Sequence, residues 1–502
     1  MQTKIKKDKH YWEQIANKYR DHNWRMLIGG ELTYAQKGET YEIINPANGH
    51  YIARAPLANK EDVDQAVEAA ARAQKEWAKV PPLKRAEIVR NIARVLRERG
   101  DEFAALDAID SGNPVLAMLA DVERAAESLE YAAGLATEIK GETIPSSGVH
   151  WHLTRREPYG VVARINPYNH PIGFTAQKIG MPLIAGNTLV VKAPEQPPLS
   201  SLLFGEVIKD LLPPGVVNII SGEGKVAGDA LVRHHKVRRI ALVGSVNTGK
   251  AILKSAAETG VKNITLELGG KNGMIVFPDA DLEVAVEAAF NGMNFLKSQG
   301  QSCGSMSRLF LHESLHDEFL KRLVEKAREK TKIGNPLDPE KNMGCLISKD
   351  HFERVMGYIR SALKEGANLM IGGGKPSDPS LDQGLYIEPT IFSGVTPNMR
   401  IFSEEIFGPV QSVIKWSNYD DMISMVNIVP YGLTASIWSN DFQQILRTSE
   451  DLDVGYIWVN GTSAHYVGTP FSGHKDSGLG SEEGIEELIS YTQQKAIHFI
   501  RT

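Results

Sequence analysis

Apolar residues change their spacing several times along the chain, and those changes divide it. Residues 27–55, LIGGELTYAQKGETYEIINPANGHYIARA, set short β-type runs between Gly and Asn turns. This predicts a small strand-rich lead-in built of hairpins. From Lys60 to about Leu135 the period lengthens, with Val63, Ala66 and Val67 on one face and Ile88, Ile92 and Leu96 repeating the same spacing. Long amphipathic helices are expected there. In EIKGETIPSSGVHWHLTRREPYG, Ser146-Ser147-Gly148 separates two runs. The second alternates Val149, Trp151 and Leu153 against His150, His152 and Thr154. That pattern predicts a protruding hairpin.

From Val161 to Gly269, the apolar runs VVARINP, NTLVVKAP, VVNIISG, RRIALVG and NITLELGG are separated by helix-length segments. Five strands with crossover helices predict an α/β fold with a parallel, doubly wound sheet. A second alternation runs from about Gly270 to Asn460. MIVF, RLFLH, NLMIGG, QSVIKWS, TASIWS and GYIWVN are its strands, and segments such as HDEFLKRLVEKAREK are its helices. A second α/β domain is expected.

Size agrees with this division, because 502 residues exceed what one hydrophobic core organises. The chain is 42% hydrophobic and 23% charged, and its glycines and prolines are spread out, which excludes a low-complexity chain. A net charge of -5 gives no basic field for nucleic acid or an anionic membrane, so a small-molecule partner is expected. Two cysteines, Cys303 and Cys345, cannot build a disulfide framework, which fits a reducing compartment. The Lys-rich start, MQTKIKKDKHYWEQ, leads into no apolar segment, and a cytoplasmic location is expected.

Candidate chemistry is concentrated at strand ends. In RRIALVGSVNTGKA, the loop Gly244–Gly249 joins an apolar strand to a helix, where free N–H groups and the helix dipole favour a phosphate. An ordinary glycine-rich turn reads the same way. A nucleoside triphosphatase loop is disfavoured, since Ala251 stands where that motif needs a hydroxyl. The first crossover lacks the G-x-G-x-x-G fingerprint, so any dinucleotide site here is of another kind. VVKAPE offers Lys192 and Glu195 beyond the carboxyl edge of the second strand. A carboxylate there accepts from ribose hydroxyls and repels a 2′-phosphate, favouring NAD over NADP. A solvated loop pair is the plain alternative.

Glu267 in NITLELGG alternates away from Ile264, Leu266 and Leu268, which suits either a solvent-facing charge or a general base in a cleft. Cys303 lies in the polar loop SQGQSCGS, where exposure would favour thiolate and access to an electrophile. Cys345, in NMGCLIS, is the weaker nucleophile candidate. No metal site is expected.

Taken together, PYGVVARINPYNHP, VVKAPE, LVGS, LELGG, GQSC, EEIFGPV and PFSGHKDSG resemble the aldehyde dehydrogenase superfamily, in order and nearly end to end. The resemblance implies that the Cys303 thiolate attacks an aldehyde, while Asn169 and the Cys303 N–H hold the oxyanion. Glu267 then activates water against the thioester. It implies cofactor contacts from Ile165, Asn166, Pro167, Tyr168, Lys192, Glu195, Gly244, Ser245, Leu268, Glu405 and Phe407. Lys178 would sit near the nicotinamide side and help depress the thiol pKa.

Positions matching the substrate tunnel read His170, Phe174, Gln177, His465 and Phe471, with Tyr466 adjacent; this is polar enough to expect a functionalised aldehyde. Acyl transfer to coenzyme A is the alternative, and Glu267 favours hydrolysis. A non-catalytic protein keeping the fold is a further alternative. The resemblance also implies three parts. They are a Rossmann-like cofactor domain (1–137, 158–268 and 471–489), a catalytic domain (269–470) and a small β oligomerisation arm (138–157 with 490–502). A homo-oligomer, dimer or tetramer, is expected.

Overall fold

The computed structural model describes residues 7–500 apart from 147 and 149, so part of the predicted hairpin turn lies outside the described residues. The helical stretch resolves into Lys60–Trp77, Pro82–Glu98, Gly100–Ser111 and Val115–Gly134. The first is closed by a reciprocal cap, in which Asn59 accepts from the Asp62 N–H and Asp62 from the Asn59 N–H, both at 3.0 Å. Its Val63, Ala66 and Val67 are buried, as their spacing predicts.

The five expected strands are Val161–Ile165, Thr188–Lys192, Val217–Ile220, Val237–Val243 and Asn263–Glu267. All neighbours among them are parallel, and in space they stand third, second, first, fourth, fifth. The first two are buried at every position, because crossover helices cover both faces. The sheet has eight strands. The hairpin Met26–Ile28 and Glu31–Thr33 extends one edge, and Gly478–Leu479 pairs antiparallel with Leu266 and Glu267 at the other.

A second, seven-stranded sheet contains every strand expected between 270 and 460, plus Thr390–Ser393. That short run was missed, and it pairs antiparallel with Asn368–Ile371. Period-2 geometry splits the strand Gly273–Val276 between two cores: Ile275 joins one, Met274 and Val276 the other. A third sheet joins distant segments, as Thr492–Phe499 pairs antiparallel along the whole of Trp151–Pro158, whose other side carries Thr143–Ile144. Among the described residues, no helix is long and apolar enough to cross a membrane.

Candidate active site

In the first sheet, the first and fourth strands of the parallel set are neighbours, and the connections leaving them run to opposite sides. Their carboxyl ends therefore part and leave a crevice. A cleft of about 300 Å³ opens there. Ile165, Asn166, Pro167, Tyr168 and Asn169 line one side, and Gly244 and Ser245 the other.

Ser245 caps the helix Val246–Ala257, its hydroxyl accepting from the Thr248 N–H at 3.2 Å. The first-turn N–H groups beside it form an anion-binding end facing the cleft. Lys192 and Glu195 form the adjoining wall, and the Gly224 N–H donates to Glu195 Oε2 at 3.2 Å. Burial lowers the Lys192 pKa to about 8, with the Glu195 carboxylate pulling the other way.

Glu405 and Phe407 line the cleft on the second sheet's side. The Gly270 N–H donates to Glu405 Oε1 at 2.9 Å, and a Cβ on Gly269 would stand 2.2 Å from Glu405 Oε2. A side chain at 269 would displace this carboxylate, so Gly269 and Gly270 make a cradle for it. Phe407 sits at φ 57° with its ring 5.9 Å from that of Tyr168, and its carbonyl is held 2.7 Å from His351 Nε2.

Cys303, Glu267 and Asn169 all line this cleft. The cysteine loop is fixed from below. Asn272 Nδ2 donates to the Cys303 carbonyl at 2.6 Å, and a Cβ on Gly300 would meet the Gly408 carbonyl at 2.2 Å. Asn169 Nδ2 donates to the Gln301 carbonyl at 3.0 Å, and the Asn169 backbone carbonyl accepts from Asn113 Nδ2 at 2.8 Å. An amide carries two N–H bonds, so one remains for a ligand oxygen.

Glu267 is buried, and among the described residues its Oε1 has no hydrogen-bond partner. Burial pushes its pKa up to about 8, against a hydrogen bond from the Cys303 thiol. The solvent-facing reading of this residue is therefore excluded. The exposed-thiolate reading of Cys303 also needs correction. Cys303 is only partly accessible, and burial together with the Glu267 carboxylate pushes its thiol pKa well above the ordinary value.

Behind these residues lies a second chamber of about 90 Å³, lined by His170, Phe174, Gln177 and His465. Cys303 and Asn169 border both cavities, so they stand at the passage between them. The chamber also holds Asp121, Arg124 and Glu483, which the sequence reading missed. His170 Nδ1 lies 2.6 Å from Asp121 Oδ2, and His465 Nδ1 lies 3.0 Å from Glu483 Oε2. Despite burial, the His465 ring and nearby cations hold the Glu483 pKa down at about 2. A signal for two of the three was present: Asp121 and Arg124, with Ser128 and Tyr131, form a polar stripe at helical spacing through an alanine-rich helix. Arg354, in the first cleft, carried no such signal.

Three expected placements are corrected. Lys178 is buried with its ammonium 2.8 Å from Glu482 Oε2, and Arg164 Nη1 donates to Glu482 Oε1 at 2.7 Å. Its charge is thus compensated within a buried ion network rather than spent on the thiol. Phe471 lies behind the chamber, packed 4.8 Å from the His465 ring in a core of the second sheet, and Tyr466 is exposed. Leu268 is buried under the helix Val246–Ala257, with its side chain against Gly249.

A doubly wound cleft that meets a second α/β sheet at Cys303 defines a two-sheet α/β architecture with its candidate site between the sheets. More narrowly, the chain belongs to the aldehyde dehydrogenase family, whose family model matches residues 33–497. Aldehyde dehydrogenase tropH of Talaromyces stipitatus is 44% identical over 91% of this chain and 89% of its own. The hydroxyisobutyraldehyde dehydrogenase of Mycolicibacterium austroafricanum is 41% identical over 94% and 93%. An aldehyde dehydrogenase of Bacillus cereus, solved as its NAD+ complex, superposes with a TM-score of 0.93 at 37% identity, covering 96% of this chain and 98% of that one. The family oxidises aldehydes to acids.

Proposed function

We propose that this chain oxidises a polar or functionalised aldehyde to its carboxylic acid with NAD, through a thioester on Cys303 that water hydrolyses. The observation that carries the reading is the position of Cys303 and Asn169 at the junction of the two cavities, with Glu267 beside the sulfur.

The larger cleft suits a dinucleotide along its length. The Ser245 helix start suits the pyrophosphate, Lys192 and Glu195 one ribose, and Glu405 the other, while Asn166 Oδ1 is buried there without a partner. Glu195 disfavours a 2′-phosphate, hence NAD over NADP. When bound, NAD supplies the acceptor for the hydride leaving the carbonyl carbon.

The chain's own residues do the rest. The Cys303 thiol gives its proton to water, and its sulfur attacks the carbonyl carbon. The free N–H of Asn169 and the Cys303 backbone N–H hold the negative oxygen. The acyl group stays on Sγ until Glu267 takes a proton from water, whose oxygen displaces the sulfur. Lys178 belongs to the buried support of this site through Glu482.

We further propose that 1–137, 158–268 and 471–489 act as the cofactor domain and 269–470 as the catalytic domain. Residues 138–157 with 490–502 form the arm that joins copies of the chain into a dimer or tetramer. An edge strand, Thr492–Phe499, unpaired on its outer side among the described residues, together with exposed Phe499 and Trp151 on this sheet, supports that role. The functionalised-substrate reading is supported by a relative named for a hydroxylated aldehyde.

The test is NADH formation from a panel of aldehydes by the wild-type chain and Cys303→Ala. Turnover lost in the variant supports the reading. Turnover surviving in it, or none in either, overturns it.

A further inference from the structure

The wall of the smaller chamber is unusual for its charge. Two histidine–carboxylate pairs, His170 with Asp121 and His465 with Glu483, line it together with the guanidinium of Arg124. Each ring is tied through Nδ1, and among the described residues no hydrogen-bond partner is found for either Nε2. A carboxylate on Nδ1 fixes ring orientation and leaves the opposite nitrogen as the group offered to a ligand. Arg124 donates through Nη2 to the His465 carbonyl at 3.3 Å, which anchors it to the same wall.

Glu483 is held at φ 69°, a backbone conformation unfavourable for a side-chain-bearing residue, while its carboxylate holds His465. Behind that ring, Phe471 closes off the core at 4.8 Å. The His465 ring is thus supported from the chain and from behind. The Phe174 ring, also in the lining, meets His170 at 6.1 Å, so the chamber has an apolar flank beside its polar one.

The fixed charges bear on what fits. Among the described residues lining the chamber, the Arg124 guanidinium stands with two carboxylates and already donates to the His465 carbonyl, so it is no free cation for an anionic aldehyde. A wholly apolar chain would leave the ring nitrogens without hydrogen bonds once water is displaced. The chamber, of about 90 Å³, suits a short substrate. The remaining class is short, uncharged and capable of hydrogen bonding.

We propose that this chamber selects short hydroxyaldehydes, with the hydroxyl on the second or third carbon bound by the His170–Asp121 and His465–Glu483 pairs. This rests on the oxidation proposed above and names its substrate class. His170 and His465 are specificity-determining residues here, and Asp121 and Glu483 act through them as positioning residues. A site built to bond a hydroxyl rejects the analogue lacking it, because its own polar groups are then left unpaired.

The experiment compares kcat/KM for lactaldehyde and 3-hydroxypropanal with propanal, hexanal and succinate semialdehyde, using the wild-type chain. It repeats the ratios in His170→Leu, His465→Leu, Asp121→Asn and Glu483→Gln. The expected result is a preference of roughly tenfold or more for a hydroxyaldehyde over propanal, falling toward unity in a histidine variant. The milder carboxamide variants lower the same ratio and report the effect if a leucine variant fails to fold. A preference for propanal, hexanal or succinate semialdehyde overturns the proposal, as does a ratio that no variant moves. In those cases NADH formed from any aldehyde in a Cys303-dependent way leaves the oxidation itself standing. Absence of NADH from every aldehyde overturns both.

Discussion

The thiol of Cys303 stands beside the carboxyl group of Glu267, a buried residue whose Oε1 has no hydrogen-bond partner among the described residues. Burial, more than their contact, holds each group in a state its role requires it to leave. The sulfur keeps its proton next to a carboxylate, and burial pushes that carboxyl group up to about 8. Both effects favour the protonated forms, so the resting site is neutral and becomes reactive as protons leave.

A pH dependence follows. A carboxyl group with its pKa raised to about 8 is mostly protonated below that pH and cannot accept a proton from water. Turnover limited by hydrolysis therefore rises roughly tenfold per pH unit below about pH 8 and levels above it. Steady-state kcat across a pH series checks this, and a flat profile from about pH 6 to about pH 9 would sink the assignment of Glu267 as base.

Replacing the base separates the two halves of the reaction. Glu267→Gln should still release about one equivalent of NADH per site in a burst, then turn over roughly 100-fold to 10,000-fold more slowly. Stopped-flow absorbance reads both phases. Loss of the burst along with the steady state would place Glu267 in the first half of the reaction instead.

Asn169→Ala removes a donor that matters only once the carbonyl oxygen is negative. The expected cost is roughly 100-fold to 1,000-fold in kcat, or about 3 kcal/mol, with little change in NAD affinity. Kinetics with calorimetric NAD titration distinguish this from damage to the cleft.

Much of the site was legible because its parts lie at strand ends. Hydrophobic periodicity placed the five parallel strands and hence the carboxyl edge where Lys192, Glu195, Gly244 and Ser245 meet. Periodicity alone left Glu267 ambiguous, since a charge alternating away from Leu266 suits solvent as well as a buried cleft. Only the motif set decided that question. What stayed hidden depends on contacts between distant segments. Lys178 finds Glu482 far along the chain, Phe471 is drawn behind His465 rather than into the chamber, and Asp121 and Arg124 sit on a helix otherwise read for its buried alanines.

That hidden network predicts a stability effect. Glu482 compensates both Lys178 and Arg164 in a fully buried setting. Glu482→Gln leaves excess positive charge there and should cost about 3–5 kcal/mol, which denaturant unfolding would read. A change below about 1 kcal/mol would mean the network is accessible to water.

Cofactor choice gives another prediction. Glu195→Ser removes the carboxylate beside the cleft, so kcat/KM for NADP should rise relative to NAD by roughly tenfold or more. An unchanged ratio would mean that another group excludes the 2′-phosphate.

The account turns on a covalent bond to one sulfur, and intact-protein mass spectrometry reads that bond directly. Glu267→Gln mixed with NAD and an aldehyde the wild-type chain oxidises should gain the mass of one acyl group, and peptide mapping should place it on Cys303. An unmodified protein after a full burst, or an acyl group on any other residue, would contradict the thioester.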